Sequence, residues 1–250
     1  MINIYMKNII KNFLGFWGYE VRNLSKVKKY DELKKWQFIR TFDIKNIIDV
    51  GASEGQFIKL MIQFFPNAHI YAFEPIEDCY KKLHAKFLSY ENIHLYNTAL
   101  ADQEGESSFS LSSATPSSSL LKMSNLHKKL FPHTASTREQ TVNVMKLDNV
   151  LDVNDFNGMT LMKIDVQGAE DKVFRGGQNI LDKVSMVISE VSYTRLYVDQ
   201  PLFDDINKAL SDKGFIYIGN LEQFYTPVTK APLFADAILV RKEVHDQLYS

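Results

Sequence analysis

The chain has 250 residues, 45% of them hydrophobic and 12% aromatic, enough to bury the core of one large or one extended domain. Its 29 Lys and Arg against 30 Asp and Glu leave a net charge of -1, which excludes the global positive field of a nucleic-acid binder. The single cysteine, Cys79, excludes an internal disulfide and fits a reducing cytoplasm.

That balance conceals an asymmetry. Residues 1–45 hold ten Lys/Arg and four Asp/Glu, net +6, so the remaining 205 hold 19 against 26, net -7. Residues 1–43 are predicted to form a basic, helical arm, with Ile2, Met6, Ile9, Ile10, Phe13 and Trp17 on one face and Lys7 and Lys11 off it. Such a stripe packs on the body of the protein or on a second copy in a homodimer, or else it lies on a membrane surface at the cytoplasmic leaflet. No apolar run there reaches the roughly 20 residues of a spanning helix, and the segment does not read as a signal peptide.

From residue 44 onward the pattern is that of a single α/β domain. Strands are predicted at 46–50, 69–73, 92–97, 160–165, 185–191, 215–219 and 235–241, alternating with helical periodicity, so the expected fold is a seven-stranded, mainly parallel sheet in a Rossmann-like three-layer sandwich. Phe57, Leu60, Met61, Phe64 and Phe65 give the first crossover helix its apolar face, and Pro66 stops it. A second helix spans 76–88 and holds Cys79 as a small buried hydrophobe. Further helices are expected at about 171–181 and 202–213, the last closed by Gly214. The stretch LEQFYTPVTKAPLF reads as a loop, with the final strand antiparallel.

Residues 105–147 break the alternation. Eight serines fall among residues 107–119, and the flanks ESSFSLS and QTVNVMKL read as a paired extra hairpin. The serine-rich stretch is either a solvated linker or a lid over a site. His127 in LHKKLFPH reads as a surface histidine of a mobile basic segment, and His133 lies nearby.

The strongest local signal is IIDVGASEGQF: a strand ending near Asp49, then Gly51 and Gly55, then a helix whose N-terminal N–H groups are free. A dinucleotide fingerprint would need glycine where Ser53 and Gln56 stand, which argues against NAD. Glu74 follows Asp49 by 25 residues at the end of the second strand, where an acid can accept both ribose hydroxyls, and Pro75 opens the next helix. Asp165 and Glu190 end neighbouring strands and face one crevice. They would serve as general bases in preference to His127 or His133, or hold Mg²⁺ or another divalent cation, unless each only caps a helix or pairs with lysine.

In order along the chain, IDVGASEGQF, FEP, NTALAD, SSSLL, VMKLDNVL, MKIDVQGAE and FRGG resemble the FkbM-type methyltransferase family. The resemblance covers about residues 44–242, with Gln167 standing where many relatives have Glu. It implies a class I methyltransferase fold, S-adenosylmethionine as donor, and O-methylation of a sugar, glycan or glycosylated secondary metabolite. It also implies cofactor binding by Asp49, Gly51, Ala52, Ser53, Gly55, Glu74, Pro75 and Asp102, with Asp165 and Glu190 catalytic. The alternatives are a non-catalytic Rossmann-like binding subunit and an NAD or nucleotide-sugar enzyme. No nucleic-acid partner is expected.

Overall fold

The computed structural model describes residues 13, 16, 17, 33–113 and 117–250. The chain divides into two compact units, Met1–Thr41 and Phe42–Ser250. In the first, Gln37–Thr41 forms a 3₁₀ turn in which the Thr41 hydroxyl donates to the Phe38 carbonyl at 3.3 Å. Most of the arm expected to be amphipathic lies outside the described residues. Among those described, no helix is long and apolar enough to cross a membrane.

The second unit is built in chain order from β1 (Ile44–Val50), α1 (Gln56–Phe64), β2 (His69–Phe73), α2 (Glu77–Phe87), β3 (Ile93–Tyr96), β4 (Ala99–Leu100) and β5 (Gly105–Ser112). There follow α3 (Asn125–Leu130), β6 (Thr137–Met145), α4 (Leu147–Val150), β7 (Met159–Ile164), α5 (Glu170–Gly176), α6 (Gln178–Leu181) and β8 (Met186–Ser192). α7 (Phe203–Asp212), β9 (Phe215–Tyr225), β10 (Pro232–Arg241) and α8 (Lys242–Leu248) complete it.

Seven strands form one sheet in the order β3-β2-β1-β7-β8-β10-β9. All pair in parallel except β10, which runs antiparallel to both its neighbours. The expected seven-stranded sheet, with its antiparallel last strand, is therefore present. The order reverses direction between β1 and β7, and open α/β sheets bind ligands beyond the carboxyl ends of strands at such a point.

β1 and β8 are buried almost throughout because both of their faces are covered, polar Asn46, Asp49, Ser189 and Glu190 included. On one side Ile48, Val50, Phe73, Ile164, Val187 and Leu239 join Val173, Phe174, Ile206 and Leu210 from α5 and α7 in a continuous core. α1 buries Phe57, Ile58 and Met61, so Ile58, which lies outside the predicted stripe, is part of its inner face. Cys79, Leu83 and Phe87 are the buried positions of α2. Burial pushes the Cys79 thiol up to about 11, consistent with a packing role.

Two predicted elements need correction. The stretch expected to be a loop between the last strands is mostly strand: β9 runs on to Tyr225 and β10 begins at Pro232, leaving only 226–231 as the turn. Cross-strand pairing supplies the reason, since Phe224 and Phe234 are register partners and their rings stack at 4.5 Å. Pro232 sits at the first residue of its strand, where a missing N–H is tolerated. The helix expected over 171–181 is broken into α5 and α6 around Gly176 and Gly177, where a Cβ on Gly176 would lie 2.0 Å from the Ala101 carbonyl oxygen.

The insertion forms a second sheet in the order β4-β6-β5, with β5 and β6 antiparallel as expected. Its serines are not a solvated linker. Ser110, Ser112, Ser118 and Ser119 are all buried, Ser119 completely. Ser110 and Ser119 exchange backbone hydrogen bonds, and the Ser118 hydroxyl accepts the Ser112 N–H at 3.0 Å.

Candidate active site

A cavity opens at the switch point, where open α/β sheets bind ligands. Its walls come from both sheets. Val50 ends β1 and Gly51 and Ser53 follow it; Phe73 ends β2 and Glu74 and Pro75 follow it; Asp165, Val166 and Gln167 follow β7. Phe109, Ser118 and Leu120 from the insertion close the far side, so the serine-rich segment covers the cavity. These three residues escaped the sequence reading, because nothing local tells which serine or leucine of a long insertion turns inward.

The turn after β1 is shaped by three residues with positive φ: Gly51 (+86°), Ser53 (+50°) and Gly55 (+80°). The N–H groups of Gly51 and Ala52 both donate to the Phe73 carbonyl, at 3.0 and 2.9 Å, which anchors the turn to β2. A Cβ on Gly51 would lie 2.1 Å from the Asp165 carbonyl oxygen, and one on Gly55 would lie 2.4 Å from the Phe87 ring. Both glycines thus pack closely against their neighbours, and Gly51 also lines the cavity. Gly55 and Ala52 do not line the cavity.

Glu74 is almost fully buried yet forms part of the cavity wall. Its Oε2 accepts the Ser53 N–H and its Oε1 accepts the Ile76 N–H, each at 2.8 Å. It therefore fastens the glycine turn to the start of α2 while keeping acceptor capacity on both oxygens. Burial pushes its carboxyl up to about 7, against the opposing pull of the two N–H donors.

Asp49 lies beneath the turn, wholly buried, and neither carboxylate oxygen has a hydrogen-bond partner among the described residues. Burial pushes it up to about 6, while the ammonium of its β7 register partner Lys163 lowers it. Lys163 is itself nearly enclosed: it pairs with Asp165 Oδ2 at 3.3 Å and stands 5.8 Å from the centre of the Phe57 ring. The neighbouring carboxylates Asp165, Asp49 and Asp236 push it above the ordinary lysine range despite its burial.

Asp165 lines the cavity, whereas Glu190 does not. The Gln167 Nε2 joins them, donating to Asp165 Oδ1 at 2.8 Å and to Glu190 Oε2 at 3.2 Å. Amide hydrogens and an ammonium thus occupy these carboxyl oxygens. This arrangement does not fit a divalent cation, which needs those same oxygens as ligands. Among the described residues no group of three or more His, Cys, Asp or Glu is arranged to hold a metal.

Asp102 is not brought to the cavity. Arg175 Nε donates to its Oδ2 at 2.8 Å, and the pair ties the end of β4 to α5. His127 also departs from expectation, being buried against Phe131 and Tyr197. Met123, Leu196, Tyr197 and Leu233 make that small core, which draws the histidine inward. The His133 backbone carbonyl accepts the Ser113 hydroxyl at 3.1 Å, and its ring meets Phe131 edge-on.

A family model described as the methyltransferase FkbM domain matches residues 49–217. The 2-O-methyltransferase NoeI of Sinorhizobium fredii (strain NBRC 101917 / NGR234) is 24% identical over 160 residues, covering 62% of this chain and 66% of that protein. The chain thus spans slightly less than two thirds of that relative's length. Among solved structures, the methyltransferase FkbM from Methylobacillus flagellatus KT overlaps with a TM-score of 0.48 at 13% identity, covering 79% of this chain and 44% of that one. The magnesium protoporphyrin IX methyltransferase (ChlM) from Synechocystis PCC 6803 overlaps with a TM-score of 0.44 at 15% identity, covering 94% and 97%.

Proposed function

The chain belongs to the FkbM methyltransferase family, and on that premise we propose that it transfers the methyl group of S-adenosylmethionine to a hydroxyl oxygen of a sugar or glycan. The observation that carries the reading is Glu74: a buried carboxylate in the cavity wall, set by two backbone N–H groups and still able to accept two vicinal hydroxyls. A ribose presents that diol. The apolar walls Phe73, Leu100 and Phe109 suit a flat base, and the Asp165 carboxylate suits a cationic donor.

When bound, S-adenosylmethionine supplies an electrophilic methyl carbon on a sulfonium. The chain's contribution is to hold the acceptor hydroxyl in line, exclude water and take the proton. Asp165, at the cavity edge, accepts the hydroxyl proton through a carboxylate oxygen. Held at Glu74, the donor would supply the methyl group, with the neutral thioether as the leaving group that keeps the C–S electron pair. NoeI, the relative named above, is a 2-O-methyltransferase, which supports oxygen as the acceptor atom.

Calorimetric titration of the whole chain with S-adenosylmethionine, S-adenosylhomocysteine and NAD tests the donor. Transfer of labelled methyl to a panel of neutral sugars and oligosaccharides tests the acceptor. Binding of the first two and not of NAD is expected. A folded chain that binds neither sulfur compound would overturn the reading.

A further inference from the structure

Gln167 sits in the left-handed region at φ +57°, a strained setting for a residue with a side chain. Every polar group it carries beyond its backbone N–H is engaged. Its amide nitrogen donates to Asp165 and Glu190 at 2.8 and 3.2 Å, and its Oε1 lies 3.0 Å from the Tyr197 hydroxyl. Its backbone carbonyl accepts the Ser119 hydroxyl at 2.7 Å. The same Tyr197 hydroxyl lies 3.1 Å from the Ser117 carbonyl, so its one proton serves either acceptor.

Two carboxyls within reach of one amide nitrogen resist carrying two charges, and their surroundings differ. Asp165 is partly open to solvent and faces the Lys163 ammonium at 3.3 Å. Glu190 is enclosed between β7 and β10, and it faces Asp165, Glu170 from α5 and its register partner Asp236, with Lys163 the opposing cation. Burial and these acids push Glu190 well above the usual carboxylate range.

We propose that Gln167 is a positioning residue that yokes Asp165 and Glu190 into one unit, with a single negative charge on Asp165 and a single proton on Glu190. An amide suits this task because it donates to both acids without adding charge. A glutamate would donate to neither and would set another carboxylate against the pair. The use of Asp165 as base rests on the methyltransferase reading, whereas the yoke itself does not.

Infrared spectroscopy of the full chain tests the yoke. The protonated-carboxyl band lost in Glu190→Gln is followed from about pH 5 to about pH 9. In the wild type that band is expected to persist through neutrality. In Gln167→Leu the N–H that stabilises ionised Glu190 is gone, so the band's midpoint should rise by about one pH unit, tenfold in the ionisation equilibrium. Gln167→Glu, closer in shape, should raise it as well and serves if the leucine variant does not fold. An unchanged midpoint, or no protonated Glu190 in the neutral wild type, would overturn the proposal. Titration of the same wild-type sample with S-adenosylhomocysteine reads the donor site separately: failure to bind, with the midpoint shift intact, sinks the methyltransferase reading and leaves the yoke standing.

Discussion

The backbone N–H of Ser53 donates to Glu74 Oε2 at 2.8 Å, so the carboxylate in the cavity wall also sets the left-handed turn opposite it. Removing that carboxylate costs the site both its diol acceptor and its shape. Glu74→Ala should weaken S-adenosylmethionine and S-adenosylhomocysteine binding alike, by about 100-fold, and Glu74→Gln by about tenfold. Calorimetry checks this. Wild-type affinity in the glutamine variant would remove ribose recognition from Glu74.

Protonation gives the same site a pH signature. Glu74 is pushed up to about 7 by burial, so donor affinity should rise as pH climbs through neutrality and the acid ionises. Glu74→Gln should flatten that rise. A profile equally steep in the variant would assign the titration to another group.

Stability should run the other way. Asp49 is raised to about 6, and Glu74 and Glu170 to about 7, all chiefly by burial. Unfolded, these acids ionise in the ordinary carboxylate range; folded, they keep their protons to higher pH. Their stabilising effect is therefore fully present below that range and is lost as pH rises through about 7. For Glu74 alone the interval from 4.5 to about 7 corresponds to an upper limit of about 3 kcal/mol. His94 and His127, lowered by burial, oppose this with smaller effects that grow as pH falls. Denaturant unfolding of the ligand-free chain should show a lower midpoint at about pH 8 than at about pH 5.5. A midpoint that rises with pH would contradict this account of the buried acids.

Two glycines separate strain from crowding. Gly51 has φ +86° and its missing Cβ faces the Asp165 carbonyl oxygen at 2.1 Å, whereas Gly105 has φ +119° with open space around it. Gly51→Ala should cost about 3 kcal/mol or more, and Gly105→Ala only the backbone penalty of about 1–2 kcal/mol. Equal losses in thermal unfolding would mean that the strand-end contact is soft.

The tautomer of His127 follows from its neighbours. The Thr134 hydroxyl donates its one hydrogen to the Phe131 carbonyl at 2.9 Å, so His127 Nε2–H must be the donor to Thr134 Oγ1 at 3.0 Å. Nδ1 is buried without a partner, and burial lowers the ring's proton affinity. Nitrogen NMR should find the neutral Nε2–H form still dominant at about pH 6, below the ordinary midpoint of a free histidine. A doubly protonated ring there would refute the assignment.

Sheet strands were legible in the sequence where large apolar residues cluster on the covered faces, as Ile47 and Ile48 do in β1 and Met186, Val187 and Ile188 in β8. Residues 221–225 and 232–234 misled because their strand character comes from Phe224 meeting Phe234, a partner no local window contains. The break at Gly176 depends on the Ala101 carbonyl, equally remote in sequence. At the site, Asp165 and Glu74 followed from strand ends and spacing, and both line the cavity or its edge. Gln167 stood out only as a departure from its relatives. Its bridging role needs the position of Glu190, and the capture of Asp102 by Arg175 needs α5, so neither was readable from the sequence.

Ser112 and Thr137, the last and first residues of β5 and β6, are register partners, so the segment between them leaves and re-enters the small sheet at adjacent points. Loop-closure entropy grows only slowly with length, by about 0.6 kcal/mol per doubling. The excursion from 113 to 136 can therefore change in length at little closure cost, provided the contacts that tie it to the frame, such as the Ser119 hydroxyl on the Gln167 carbonyl, are kept. Chimaeras cut at these two residues would transplant the cover of the cavity from one family member to another.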